Sequence, residues 1–136
     1  MRFFLNLSVC CALLCSAIAV QAQQIIVVTD SHHPITNVPA NTRVIELDAA
    51  QRLHDELSKN LPNNSQQAKQ VARQRLQQSG IPQQQAMQSA LQGLVDAWAI
   101  GITKIPAVVL DGHVIYGESD INKAVTEIKS YQEQRP

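Results

Sequence analysis

The chain has 136 residues, 11 Lys plus Arg against 11 Asp plus Glu for a formal charge of zero, and three cysteines. With that balance, nothing in the chain resembles the basic stripe with which a nucleic-acid binder releases counterions from phosphates. The length suits one domain that buries a core of its own.

Met1 to Ala22 reads as a secretory signal peptide: one positive charge at Arg2, an apolar run from Phe3 to Ala19, then small residues in Val20-Gln21-Ala22. As a membrane span the run falls short, because Asn6 and Ser8 interrupt it and a spanning helix needs roughly 20 apolar residues. A lipid-modified cysteine is not expected, since Cys10, Cys11 and Cys15 follow Val9, Cys10 and Leu14 rather than a small residue. The expected organisation is a leader over 1–22 and one domain over 23–136. Cleavage there removes every cysteine, which excludes thiol redox exchange and thiolate metal sites. The exported part is expected in the periplasm, free of the membrane.

Ile25 to Thr29 and Arg43 to Leu47 are β-branched runs of the kind buried on both faces of a sheet. Between them, Asp30 to Thr42 holds two prolines and many turn formers, and reads as loop. Asp48 has the placement of an N-cap, with Gln51 set to reach back, and Leu53 and Leu57 share a face of the helix that follows to Lys59 or Asn60. After a turn at Pro62 to Ser65, Ala68, Val71, Ala72 and Leu76 repeat at helical spacing until Gly80 stops the helix. Glutamines such as Gln66, Gln70, Gln74 and Gln77 alternate with these apolar positions and read as a solvated helical surface.

Pro82 suits the first turn of a further helix, whose Met87, Ala90, Leu91, Leu94 and Trp98 fall on one stripe predicted to face the core. Gly101 ends it. Ala107 to Leu110 and His113 to Tyr116 then read as strands joined by Asp111-Gly112, a type I′ hairpin signal. Ser119 is placed to cap a last helix that turns Ile121, Ala124, Val125 and Ile128 inward.

The predicted order β-β-α-α-α-β-β-α fits an α/β, thioredoxin-like fold: a four-stranded mixed sheet flanked by helices. The usual cysteine-bearing first helix is reduced to the loop after Asp30, and a helical pair is inserted. Gly101 to Gly112 resembles the segment of that fold that carries the cis-proline, here Ile105-Pro106. Val27 to Asp30 with His33-Pro34, Val44 to Asp48, Asp55 to Ser58, Gly93 to Trp98, Gly101 to Val109 and Val114 to Gly117 together resemble an uncharacterised family encoded by integrating conjugative elements. The block from Trp98 through Pro106 to Tyr116-Gly117 also resembles the thioredoxin-like portion of pilus-assembly proteins of conjugative plasmids. The resemblance implies an exported accessory protein of a conjugative type IV secretion apparatus, partnered by envelope proteins of that apparatus, with no nucleic acid and no known activity, substrate or cofactor.

Two groups of residues are candidates for function. Lys104, Ile105, Pro106 and Tyr116 form a candidate edge at which an extended partner segment pairs by strand addition, with Glu118 on the same rim; alternatively Pro106 only fixes the start of its strand. Asp30, His32 and His33 lie where this fold places its active site, at the carboxyl end of the first strand. They suggest an alternative reading, a hydrolase or metal-dependent enzyme. Against it, adjacent histidines on extended chain point apart, and neither His54 nor His113 offers an obvious third ligand. On the structural reading Asp30 bonds the amides of its own turn. The leading expectation is a non-catalytic adaptor without cofactor.

Overall fold

The computed structural model describes residues 23–135, so the leader expected over 1–22 lies outside the described residues. β1 (Ile25–Thr29) and β2 (Thr42–Glu46) pair in parallel, from Ile25 opposite Thr42 to Thr29 opposite Glu46. β3 (Ala107–Leu110) lies antiparallel to β1, and β4 (His113–Tyr116) antiparallel to β3, for a sheet of order β2-β1-β3-β4. Asp111 and Gly112 both take positive φ, 49° and 76°, as a type I′ turn requires.

Among the described residues three helical segments flank the sheet: α1 (Ala49–Ser58), α2 (Ser65–Ile100) and α3 (Ile121–Glu133). Gly80, at φ 64° and ψ −164°, interrupts α2, and Pro82 follows it. α2 is thus a helical pair with a glycine joint, as the sequence pattern predicts. This is a thioredoxin-like α/β arrangement in which the connection from β1 to β2, residues 30–41, is loop rather than helix.

That loop is held from the far side of the sequence. Thr36 donates to the Ser119 carbonyl at 2.9 Å and accepts from the Ile121 amide at 3.1 Å, while the Asn37 amide donates to Asp120 at 2.8 Å. Ile35, half-buried, packs on the α3 core.

Alternation along the strands divides the core in two. Ile25, Val27, Val108 and Leu110 face α3 and its Ile121, Ala124, Val125 and Ile128, all buried. On the opposite face Val28, Ile45 and Ala107 meet Ala97 of α2. The α2 contact is close: a Cβ added to Gly93 would lie 3.0 Å from Ile45 Cγ2.

Three local expectations need correction. The α2 stripe is turned by about one residue, so that Gly93 and Ala97 are buried while Leu91, Val95 and Trp98 face out, Trp98 at 84% exposure. Small side chains win the inward face because only they allow the helix to approach Ile45. Asp48 precedes α1 without a capping bond, because its carboxylate is engaged by Ser31, and Gln51 bonds Asp55 instead. Asp120, not Ser119, caps α3 by accepting from the Lys123 amide at 3.1 Å.

Among the described residues no helix is long and apolar enough to cross a membrane.

Candidate functional site

Because β1 and β2 run parallel, the residues that follow them emerge at the same end of the sheet. Asp30 follows β1, and Asp48 lies two residues beyond β2. Extending the β1–β3 register one step past Val28 opposite Ala107 sets Thr29 opposite Pro106, which brings the proline to this end as well. The Ile105–Pro106 peptide bond is cis.

Asp30 organises the turn. Its Oδ1 accepts from the amides of His32 at 2.9 Å and His33 at 3.0 Å, and lies 2.6 Å from His33 Nδ1. Thr29, buried as the last residue of β1, donates its hydroxyl to the His33 carbonyl at 2.7 Å. The hydrogen bond from His33, reinforced by the two amides, holds the Asp30 carboxyl below the usual carboxylate range.

The two histidines part, although they lie in a turn closed on Asp30 rather than on the extended chain expected. His33 turns to Asp30, whereas the closest polar contact of the His32 ring is Ser31 Oγ at 3.5 Å. Ser31 is a residue that the sequence pattern does not single out: its hydroxyl and amide both donate to the Asp48 carboxylate, whose pKa this lowers. No sequence signal marks it, because only the parallel pairing of β1 and β2 brings the residues after both strands together.

Chemically, the Asp30–His33 pair resembles the orienting half of an acid–base relay. The nearby hydroxyl is directed elsewhere, since Ser31 donates to Asp48 rather than to an imidazole. Among the described residues no three His, Cys, Asp or Glu side chains gather into a group suited to a metal ion.

The candidate partner edge lies on the neighbouring strands. Lys104 is exposed, Ile105 half-buried and Pro106 buried, while Tyr116 is 42% exposed and pairs with Ala107. Pro106 has no N–H to offer, and its carbonyl already accepts from the Gly117 amide at 2.8 Å. Glu118 turns away to α3, accepting from the Asp120 amide at 3.0 Å and from Lys123 Nζ at 2.5 Å. At Pro106, therefore, the main chain of this candidate edge is already committed within the chain.

A larger concavity lies elsewhere. A groove of about 770 Å³ runs along the outer edge of β2, between it, α1 and the second half of α2. Beside the α1–α2 junction, Leu57, Leu76, Met87 and Leu91 line a smaller apolar hollow of about 290 Å³.

No curated protein and no solved structure matches the chain. A family model matches residues 22–134, nearly the whole of the chain, which therefore belongs to the family described as a protein of unknown function (DUF1525).

Proposed function

We propose that the protein is a non-catalytic, exported accessory component of the conjugative type IV secretion apparatus of an integrative conjugative element, acting in the periplasm by contact with other envelope proteins. The observation that carries this reading is the outward stripe Leu91, Val95 and Trp98 on α2, with Trp98 84% exposed. Tryptophan is among the residues that dominate contact energy once a partner covers them, and large apolar side chains grouped in water mark interaction surfaces. The stripe belongs to a stretch, 83–100, whose single charge, Asp96, is paired with Arg43. That favours a protein surface as partner over phosphate or lipid headgroups. The commitment of Asp30 Oδ1 to its own turn supports a structural role for the polar cluster.

A photo-crosslinking residue at position 98, in cells carrying such an element, tests the reading. A covalent adduct with a secretion-apparatus protein, lost in Val95→Glu, is the expected result. Adducts no more abundant than those from a probe at the exposed Lys129 would overturn it. The second reading, an enzyme centred on Asp30, His32 and His33, rests on the 2.6 Å Asp30–His33 contact. It requires a turnover that disappears in His33→Ala.

A further inference from the structure

β2 is an edge strand whose free side can be read from one hydrogen bond. The Leu47 amide donates to the Thr29 carbonyl at 2.9 Å, continuing the ladder between β2 and β1. In a parallel pair the main-chain groups of alternate residues face the partner strand. Arg43, Ile45 and Leu47 therefore face β1, and the N–H and C=O of Val44 and Glu46 point outward. Among the described residues no strand pairs with that side.

Edges of this kind are commonly blunted by charged side chains, lysine above all, by proline or by a bulge; the two charges on this one, Arg43 and Glu46, are each paired within the chain. Thr42–Glu46 has neither proline nor lysine, its register with β1 is uninterrupted, and its central side chain, Val44, is 41% exposed.

The groove of about 770 Å³ follows this same edge, and its volume falls within the roughly 300–1,000 Å³ of ligand sites. Leu53 of α1 and Ala86, Ala90 and Gly93 of α2 give it small or apolar walls, with Ser89 and Gln92 as neutral hydrogen-bonding groups. Both charges that line it already have partners in this chain: Arg43 bonds Asp96, and Glu46 bonds Arg52. A charged occupant would have to compete with these pairs, whereas an uncharged one leaves them intact.

We infer that the outer edge of β2 and the groove beside it form a peptide-binding site, which takes an extended, uncharged segment of a partner protein as an added fifth strand. Main-chain bonds to Val44 and Glu46 supply the pairing, and the alternate side chains of the segment that point toward α2 enter the groove. The helical walls favour a single strand: a second copy pairing through β2 would bring its own α1 and α2 to the same face. The site is separate from the Trp98 stripe and does not rest on the function proposed for it.

The test is NMR titration of the 15N-labelled protein with a capped nine-residue peptide of alternating threonine and valine, beside the same peptide N-methylated at alternate residues. Expected are amide shifts centred on Val44 and Glu46 and at least about tenfold slower hydrogen exchange at those two amides, with no response to the N-methylated peptide. Val44→Pro removes an N–H that points away from β1 and is tolerated at an edge, so binding should fall at least about tenfold with the fold intact. Ala86→Trp, at an exposed position, should block the groove independently, and Trp98→Ala should leave binding unchanged. Several results would overturn the inference: no response to the peptide at millimolar concentration, shifts centred elsewhere, or equal binding of the N-methylated form. So would tighter binding when the threonines are replaced by lysine or glutamate, or self-association through β2.

Discussion

Asp30 acts through one oxygen, which gathers two amides and an imidazole and so fixes the direction in which the chain leaves β1. Its reading as an Asx-type turn residue was available from the sequence, because Asp after a strand and before a proline-containing loop commonly bonds the amides ahead of it. The partner of Ser31 was not, since Asp48 is 17 residues away and only the parallel pairing brings it near. Other carboxylates are held low in the same way: Asp96 by Gln92 and Arg43, Glu118 by Lys123, and Asp120 by the Lys123 amide. A carboxyl that titrates lower folded than unfolded contributes stability that is full above the unfolded value and lost as pH falls through the folded one. The melting temperature is therefore expected to hold near neutrality and to fall with acidification below about pH 4. Asp30→Asn and Asp48→Asn should each flatten part of that acid limb. Lys123, raised by Glu118, has the opposite sign: its contribution is present below the ordinary lysine range and is lost as pH rises through its folded value. Melting curves at alkaline pH for the wild type and Lys123→Met check this.

At the scale of elements, two glycines determine what the helices do. Gly80 occupies a region of φ and ψ that is essentially restricted to glycine, yet a Cβ added there would lie 3.7 Å from Pro82 Cδ, an ordinary contact that leaves room for a side chain. The constraint is thus conformational, and Gly80→Ala should destabilise by about 1–3 kcal/mol in urea unfolding. Gly93 is constrained by space instead. Gly93→Val forces side-chain atoms onto the buried Ile45 and should cost about 1–3 kcal/mol. Ile45→Ala in the same chain should recover part of that loss, because the two positions touch and their effects are not additive. The break at Gly80 was legible, since glycine followed by Ile81-Pro82 interrupts a helical period. The direction in which the next helix faces was not. Its larger apolar residues suggest an inward stripe through Leu91 and Trp98, but the distance of closest approach to the sheet favours Gly93 and Ala97. Arg75 has a similar long-range role, donating to the carbonyls of Leu57 at 2.9 Å and Lys59 at 2.5 Å at the end of α1. No periodicity reveals that role, because it depends on how α1 folds back on α2.

Across the whole molecule, the sheet separates a well-filled side from an open one. Leu110 is buried between the sheet and α3, and Leu110→Ala should cost about 2–5 kcal/mol by calorimetry or denaturant unfolding. Trp98 lies on the outside of α2, and Trp98→Ala should change stability by no more than about 0.5 kcal/mol. Since Trp98 is the chain's sole tryptophan, its emission should be that of a solvated indole in the free protein and should shift to the blue when a partner covers it. An emission maximum already blue-shifted in dilute solution would show that this face is covered without a partner. The loop from Asp30 to Asn41 gives the molecule its departure from an ordinary thioredoxin-like form, and its contacts at Thr36 and Asn37 tie it to Asp120 at the start of α3.

The sequence by itself determined what depends on neighbours along the chain: the β-branched strands, the Asp111-Gly112 turn, the glycine stops, the inward face of α3, and hence an α/β order with a loop where a helix is usual. These follow from backbone preferences and from periodicity over a few residues. Only the tertiary structure decided which face of α2 meets the sheet, which acid caps which helix, and where a groove opens along β2. The face of α2 and the groove depend on the distance between segments far apart in the chain, which side-chain size at the close approach of Gly93 to Ile45 sets, and Asp48 leaves α1 uncapped because Ser31, distant in sequence, engages its carboxylate.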